Sequence, residues 1–283
     1  MRPQPVTSTL YGKLRVYVFA GEQELAEAAA GVAARVLAEA VAERGRANLI
    51  LATGNSQRQF LAALRAAPEV PWIHVQVFHM DEYLGLPPSH PAGFARYLRR
   101  HLVDAVQPGA FYPIRGDAED VEAECRRYEQ LLRENPADLC CLGIGENGHI
   151  AFNEPMQADF HDLRWVRPIR LHEASRRQQV GEGHFARLED VPYEAITLTV
   201  PALLAARRLI AVVPEARKAQ AVRAALLGPV SPACPASVLR TCEHAELYLD
   251  RQSAALLEGP PEPRADAFWQ GHESTGREPG ASA

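Results

Sequence analysis

The feature that most constrains this chain is a series of short, almost wholly apolar runs, each closed by small or polar residues. Leu49-Ile-Leu-Ala52 ends in Thr53-Gly54, and Asp138-Leu-Cys-Cys-Leu142 ends in Gly143-Ile-Gly145. Runs of this length without polar alternation are buried on both faces, as strands of a parallel sheet are. Further strands are predicted at 14–19, 73–78, 195–199, 209–213 and 246–249. The stretches between them have helical spacing. Leu25, Ala29, Val32, Val36 and Ala40 recur on one face of 22–43, and Val121, Cys125, Tyr128 and Leu132 on one face of 120–133. Other helices are predicted over 56–65, 91–106, 202–206 and 215–227. Strands alternating with helices predict an α/β fold in three layers, α/β/α, around a mainly parallel, doubly wound, Rossmann-like sheet.

No Pro/Gly/Ser linker interrupts this alternation, so residues 1–258 are expected to form one domain. The Pro-, Gly- and Ser-rich stretch 259–283 is expected to be a C-terminal tail. The first fourteen residues read as a lead-in. Residues 156–193, rich in Arg, His and Gln, show no clear period, and 156–183 is a lid candidate on its polarity.

Composition removes several classes of function. Lys and Arg total 30 against 35 Asp and Glu, a net charge of −5, which argues against nucleic acid and anionic membrane as partners. The Ala-rich stretch 25–41 is broken by Glu27, Arg35 and Glu39 and cannot span a bilayer. The five cysteines include no CxxC pair, and no cationic and apolar leader opens the chain. A cytoplasmic protein with reduced thiols is expected. There is no HxxxH or HExxH spacing and no GxSxG elbow, so neither a metal nor a serine nucleophile is expected. Gly143-x-Gly145-x-x-Gly148 matches the dinucleotide fingerprint formally. Its continuation, His149 to Pro155, is too short for the required helix, and no cofactor is expected.

In an open parallel sheet, ligands bind beyond the carboxyl ends of the strands. Four predicted strands end in unusual polar residues. Thr53-Gly54-Asn55-Ser56 is either an anion-binding turn or an ordinary turn with Ser56 as helix cap. Arg217 and Lys218 fall at a helix start, where a cation is unfavourable unless an anion is held nearby; a solvated surface pair is the bland reading. Asp81 and Glu82 follow the apolar Val77-Phe78. Burial would suit one of them to act as a base, and capping is the alternative. Side chains of adjacent extended residues point opposite ways, so only one of the two would face the crevice. His149 with Glu154 is a pair in which the carboxylate fixes the imidazole tautomer, against the commoner structural histidine.

Residues 78–87, Phe-His-Met-Asp-Glu-Tyr-Leu-Gly-Leu-Pro, with His90-Pro91, and 143–155, Gly-Ile-Gly-Glu-Asn-Gly-His-Ile-Ala-Phe-Asn-Glu-Pro, resemble the two signatures of the glucosamine-6-phosphate deaminase family. The same superfamily contains 6-phosphogluconolactonase. The resemblance runs from about Leu14 to Asp250, and the Met-Asp-Glu-Tyr segment favours the deaminase branch. It implies aldose–ketose isomerisation of an amino-sugar phosphate with loss of ammonia and no cofactor. By position, Asp81 would move a proton between C2 and C1, and His149, oriented by Glu154, would open the sugar ring. Ser56 with the neighbouring amides of Thr53, Gly54 and Asn55, together with Arg176 and Lys218, would hold the phosphate.

Two departures stand out. Asn147 replaces the Asp usual before the Gly-His of the second motif, which would leave His149 less basic. Asn55-Ser56-Gln57 replaces the usual Gly-Thr-Pro of the phosphate loop. The alternatives are a sugar-lactone-phosphate hydrolase using His149 as base, and a non-catalytic sugar-phosphate-binding protein. Assembly into a homo-oligomer is left open.

Overall fold

The computed structural model describes residues 3–257; the expected tail, 259–283, lies outside the described residues. The strands are β1 (Thr7–Tyr11), β2 (Leu14–Phe19), β3 (Ala47–Leu51), β4 (Val75–His79), β5 (Asp81–Tyr83), β6 (Ala110–Tyr112), β7 (Leu139–Leu142), β8 (Val166–Arg170), β9 (Glu194–Leu198), β10 (Arg208–Val213) and β11 (Ala245–Asp250). The helices are α1 (Glu22–Arg44), α2 (Arg58–Ala66), α3 (Phe94–Leu98), α4 (Asp104–Val106), α5 (Val121–Glu134), α6 (Glu173–Gly181), α7 (Val200–Leu204) and α8 (Ala219–Leu227). The central sheet runs in the order β1-β2-β11-β10-β7-β3-β4-β6. Only the β1–β2 pair in it is antiparallel. The α/β reading with a mainly parallel, helix-covered sheet is therefore the architecture found.

Alternate residues of the central strands feed two cores, one on each face. Leu49, Leu51, Leu139 and Cys141 pack with Ala29, Ala33 and Leu37 of α1 and with Phe60 and Leu64 of α2. Ile50, Cys140 and Leu142 pack on the opposite face with Cys125, Tyr128 and Leu132 of α5 and Val222 of α8. Each large apolar side chain so buried contributes roughly 1.5–3 kcal/mol. That is why these runs carry no polar alternation. The alanines of α1 let it lie close over the sheet and beside α2.

Several elements depart from the sequence expectation. The lead-in contains β1, an edge strand paired with β2. Helix 91–106 begins at Phe94 and passes through a π turn at Arg99–Val103. Residues 156–193, without a legible period, hold β8 and α6. β8 contains Pro168, which can sit there because β8 is the outer strand of a second, antiparallel sheet, β5-β9-β8. The chain leaves the central sheet after β4 and pairs Asp81 with Thr197 in that small sheet. Asp81 is thus fixed at the joint between the two sheets.

Candidate functional site

The four strands whose ends drew notice, β4, β3, β7 and β10, lie side by side in that order. Their carboxyl-end loops surround one cavity. Thr53, Gly54 and Ser56 line it after β3, Asp81 after β4, Gly145 and His149 after β7, and Lys218 after β10. Gln178, Gln179 and Glu182 of α6 and the turn beyond it close the remaining side. Distant stretches of sequence meet because parallel strands bring all their carboxyl ends to one edge.

The loop after β3 is shaped by Gly54, whose φ of 102° and ψ of 165° suit only glycine. The Tyr97 hydroxyl donates to the Gly54 carbonyl at 2.7 Å, and the Gln57 amide donates to the Val212 carbonyl of β10 at 3.0 Å. Ser56 is not a helix cap: residues Asn55–Gln57 form a 3-10 turn, α2 starts at Arg58, and the Ser56 hydroxyl borders the cavity. Asn55 turns away, donating from Nδ2 to the Glu182 carbonyl at 3.2 Å.

Asp81 and Glu82 divide as adjacent extended residues must. Asp81 borders the cavity and is 7% exposed. Burial pushes its carboxyl well above the usual range, and the Glu82 charge adds to this. Glu82 instead accepts from the amides of Phe94 and Ala95 at 2.9 and 2.8 Å, capping α3, and from Tyr83 N at 3.0 Å. Burial raises its carboxyl to about 7, against the pull of those three bonds.

The arrangement around His149 differs from the expected His–Glu pair. Asn147 stands between them: its Nδ2 donates to Glu154 Oε2 at 3.0 Å, and its Oδ1 lies 2.7 Å from His149 Nδ1. Glu154 itself is fully buried, with Oε2 3.8 Å from His149 Nδ1. Because the carboxylate can only accept, it turns the Asn147 oxygen toward the ring. Nδ1 then carries the hydrogen and Nε2 presents a lone pair. Burial lowers the imidazole pKa; Glu154 opposes this and Lys218 adds to it. A Cβ at Gly145 would stand 2.2–2.4 Å from the imidazole, so only glycine leaves room for the ring.

Lys218, at the head of α8, is 3% exposed, and its ammonium makes no hydrogen bond or ion pair among the described residues. Burial, then the charge of Arg217, lowers its pKa. Arg217 is not a surface pair with it. Its guanidinium meets Glu215, Glu182 and Glu146 at 2.5, 2.7 and 2.9 Å, so the anions facing it are the protein's own carboxylates.

Arg176 requires a correction. It does not line the cavity; its guanidinium donates to the carbonyls of Leu188 and Val191 and lies over the Tyr193 ring at 3.8 Å. A buried guanidinium must satisfy its donors, and backbone carbonyls of the following loop do so. Gln178, Gln179 and Glu182, which do face the cavity, belong to the segment whose period was illegible. The polarity of 156–183 was the only signal for them.

A family model described as glucosamine-6-phosphate isomerases/6-phosphogluconolactonase matches residues 20–249. A glucosamine-6-phosphate deaminase of Bacillus cytotoxicus is 34% identical over 243 residues, covering 86% of this chain and 89% of the relative. Another, of Exiguobacterium sibiricum, is 37% identical over 238 residues, covering 83% and 91%. Among solved structures, a monomeric glucosamine-6-phosphate deaminase superposes with a TM-score of 0.77 at 30% identity, over 85% of this chain and 99% of that one. A 6-phosphogluconolactonase from Shewanella baltica reaches 0.70 at 19% identity, over 86% and 99%, a likeness of fold.

Proposed function

The chain belongs to the glucosamine-6-phosphate isomerase/6-phosphogluconolactonase family, and from that membership and the cavity we propose that it converts glucosamine 6-phosphate and water to fructose 6-phosphate and ammonia. The observation that carries the reading is that Asp81, His149 and Lys218 line one cavity with the Thr53–Ser56 loop. The relatives 34% and 37% identical are deaminases, which sets this reading ahead of lactone hydrolysis.

The phosphate is held by the Ser56 hydroxyl, the amides of the loop after β3 and the Lys218 ammonium. Anchoring that end leaves the sugar ring between Asp81 and His149. His149 Nε2 takes the proton of the O1 hydroxyl and returns it to the ring oxygen, which opens the ring to the aldehyde. Nδ1, bound to Asn147 Oδ1, keeps its hydrogen throughout.

Asp81 then removes the C2 proton, the electron pair moves into a C1–C2 double bond, and O1 takes a proton from the C2 ammonium, leaving an enolamine whose nitrogen carries a free lone pair. The same carboxyl delivers its proton to C1, and the C2–N bond becomes an imine. Water adds to C2 and ammonia leaves, giving the ketose. A carboxyl with a raised pKa is a stronger base once ionised, and the substrate's C2 ammonium favours that ionisation.

The test is release of ammonia and fructose 6-phosphate from glucosamine 6-phosphate by the purified protein. Turnover that Asp81→Asn abolishes is expected. A folded sample that releases neither product, or that opens 6-phosphogluconolactone faster than the spontaneous reaction instead, overturns the assignment.

A further inference from the structure

Glu182 places an anion inside a cavity read as an anion site. Its side chain is 5% exposed, and its Oε1 accepts from Gln178 Nε2 and Arg217 Nη1, both at 2.7 Å. Its Oε2 is 3.3 Å from His184 Nε2. Burial alone would raise its carboxyl; the bonds from His184, Gln178 and Arg217 outweigh burial and hold it at about 2, so it is ionised. It reaches the loop after β3, since a Cβ built on Gly54 would lie 4.0 Å from Oε2. The same cavity is lined by Lys218, buried and with no hydrogen-bond partner for its ammonium among the described residues.

A phosphate dianion entering beside a fixed carboxylate meets like-charge repulsion in a partly desolvated space. Two features make the carboxylate removable. Arg217 has three carboxylate partners, so loss of Glu182 leaves it paired with Glu215 and Glu146. Glu182 also lies between Gly181 and Gly183; a Cβ at either would meet nothing within 4 Å, and Gly183 has φ +78°. Neither glycine carries a side chain that a turn of the segment would have to repack.

We propose that the Glu182 carboxylate is a displaceable stand-in for the substrate's phosphate, and that Arg217 becomes a phosphate ligand when Glu182 leaves. The inference rests on the reading of Ser56, the neighbouring amides and Lys218 as the phosphate cradle. It makes Glu182 the residue that sets how tightly the site holds a phosphorylated sugar.

Calorimetric titration with inorganic phosphate tests it on the wild type, Glu182→Gln and the Glu182→Gln/Arg217→Gln double variant. Glu182→Gln is expected to bind phosphate about tenfold more tightly, and the added Arg217→Gln to reverse most of that gain. Unchanged or weaker binding by Glu182→Gln overturns the stand-in role. A silent Arg217→Gln in that background overturns the ligand role of Arg217.

A second measurement needs no variant. In the wild type, saturating phosphate should raise amide hydrogen exchange at 182–184, whose amides donate to Gln178, Val180 and Gln179. A site that merely tightens around phosphate would lower exchange there, and that result overturns the inference. Phosphate behaving as expected without turnover of glucosamine 6-phosphate would uphold the inference and defeat the deaminase reading. No phosphate binding in any of these proteins would defeat the cradle and the inference together.

Discussion

Asn147 Oδ1 lies 2.7 Å from His149 Nδ1 and holds the imidazole through an amide that Glu154 orients from behind. The carboxylate therefore acts on the ring through a neutral relay. Its negative charge is a step removed, in keeping with an imidazole held below its ordinary pKa by burial. Asn147→Ala removes the ring's acceptor and strips Glu154 Oε2 of its donor. Loss of an orienting partner of this kind lowers kcat/KM by about 10–100-fold, and the orphaned buried carboxylate costs more than the roughly 1–3 kcal/mol of a neutral group. Steady-state kinetics and denaturant unfolding check both. An unchanged kcat/KM would mean that Ser175 Oγ, 3.3 Å from the same nitrogen, suffices.

Asp81 and Glu82 separate by pH. The base must be ionised, and burial raises Asp81 well above the ordinary carboxylate range. kcat/KM should therefore rise with pH along an acid limb displaced above that range. Glu82→Gln removes the charge that adds to the rise, so the limb should move to lower pH. The same change weakens the cap on α3 by about 0.5–2 kcal/mol. A pH–rate profile with a denaturant curve for each protein checks both, and a limb that stays in place would show that Glu82 does not act on the base.

The fold was legible wherever burial on two faces leaves an all-apolar run, as at Leu49–Leu51 and Leu139–Leu142. It was illegible where elements are short or half-covered. β8 mixes Val166 and Ile169 with Arg167, Pro168 and Arg170, a pattern an outer strand of a small sheet tolerates. Asp81, His149 and Lys218, each with an ordinary structural reading when taken alone, stood out because a parallel sheet gathers its strand ends at one edge, and all three line one cavity there. Arg176 was misread because a basic residue looks the same in sequence whether it faces a cavity or the carbonyls of Leu188 and Val191. The Asn147 relay depends on which way an amide turns, and spacing alone does not contain that.

Gly145 separates activity from folding. A Cβ there would stand 2.2–2.4 Å from His149 ring atoms, so Gly145→Ala must displace the imidazole. The ring borders an open cavity and has somewhere to go, which keeps the cost in stability small. Misplacing a proton-transfer group by about 1 Å costs on the order of 100-fold in rate. The expected result is a thermal midpoint close to wild type with kcat/KM about 100-fold lower. Wild-type rates would show that the ring position is not critical.

His79 supplies a stability prediction that the reaction does not involve. The ring is fully buried at the end of β4, and its Nε2 accepts from Ile114 N at 2.9 Å. Burial lowers its pKa to about 3. The unfolded chain, with an ordinary histidine near 6.5, binds the proton first as pH falls. His79 therefore stabilises fully above about pH 6.5, and that contribution declines by about 1.4 kcal/mol per pH unit from there toward pH 3. His79→Gln keeps an acceptor for Ile114 but has no proton to gain. Asp81 and Glu82, whose raised carboxyls act in the opposite sense, are common to both proteins. The wild type's stability advantage over His79→Gln, measured by denaturant unfolding from pH 8 to pH 4, should shrink at that slope below about 6.5. A constant advantage would mean that the buried ring accepts its proton as readily as the unfolded chain does.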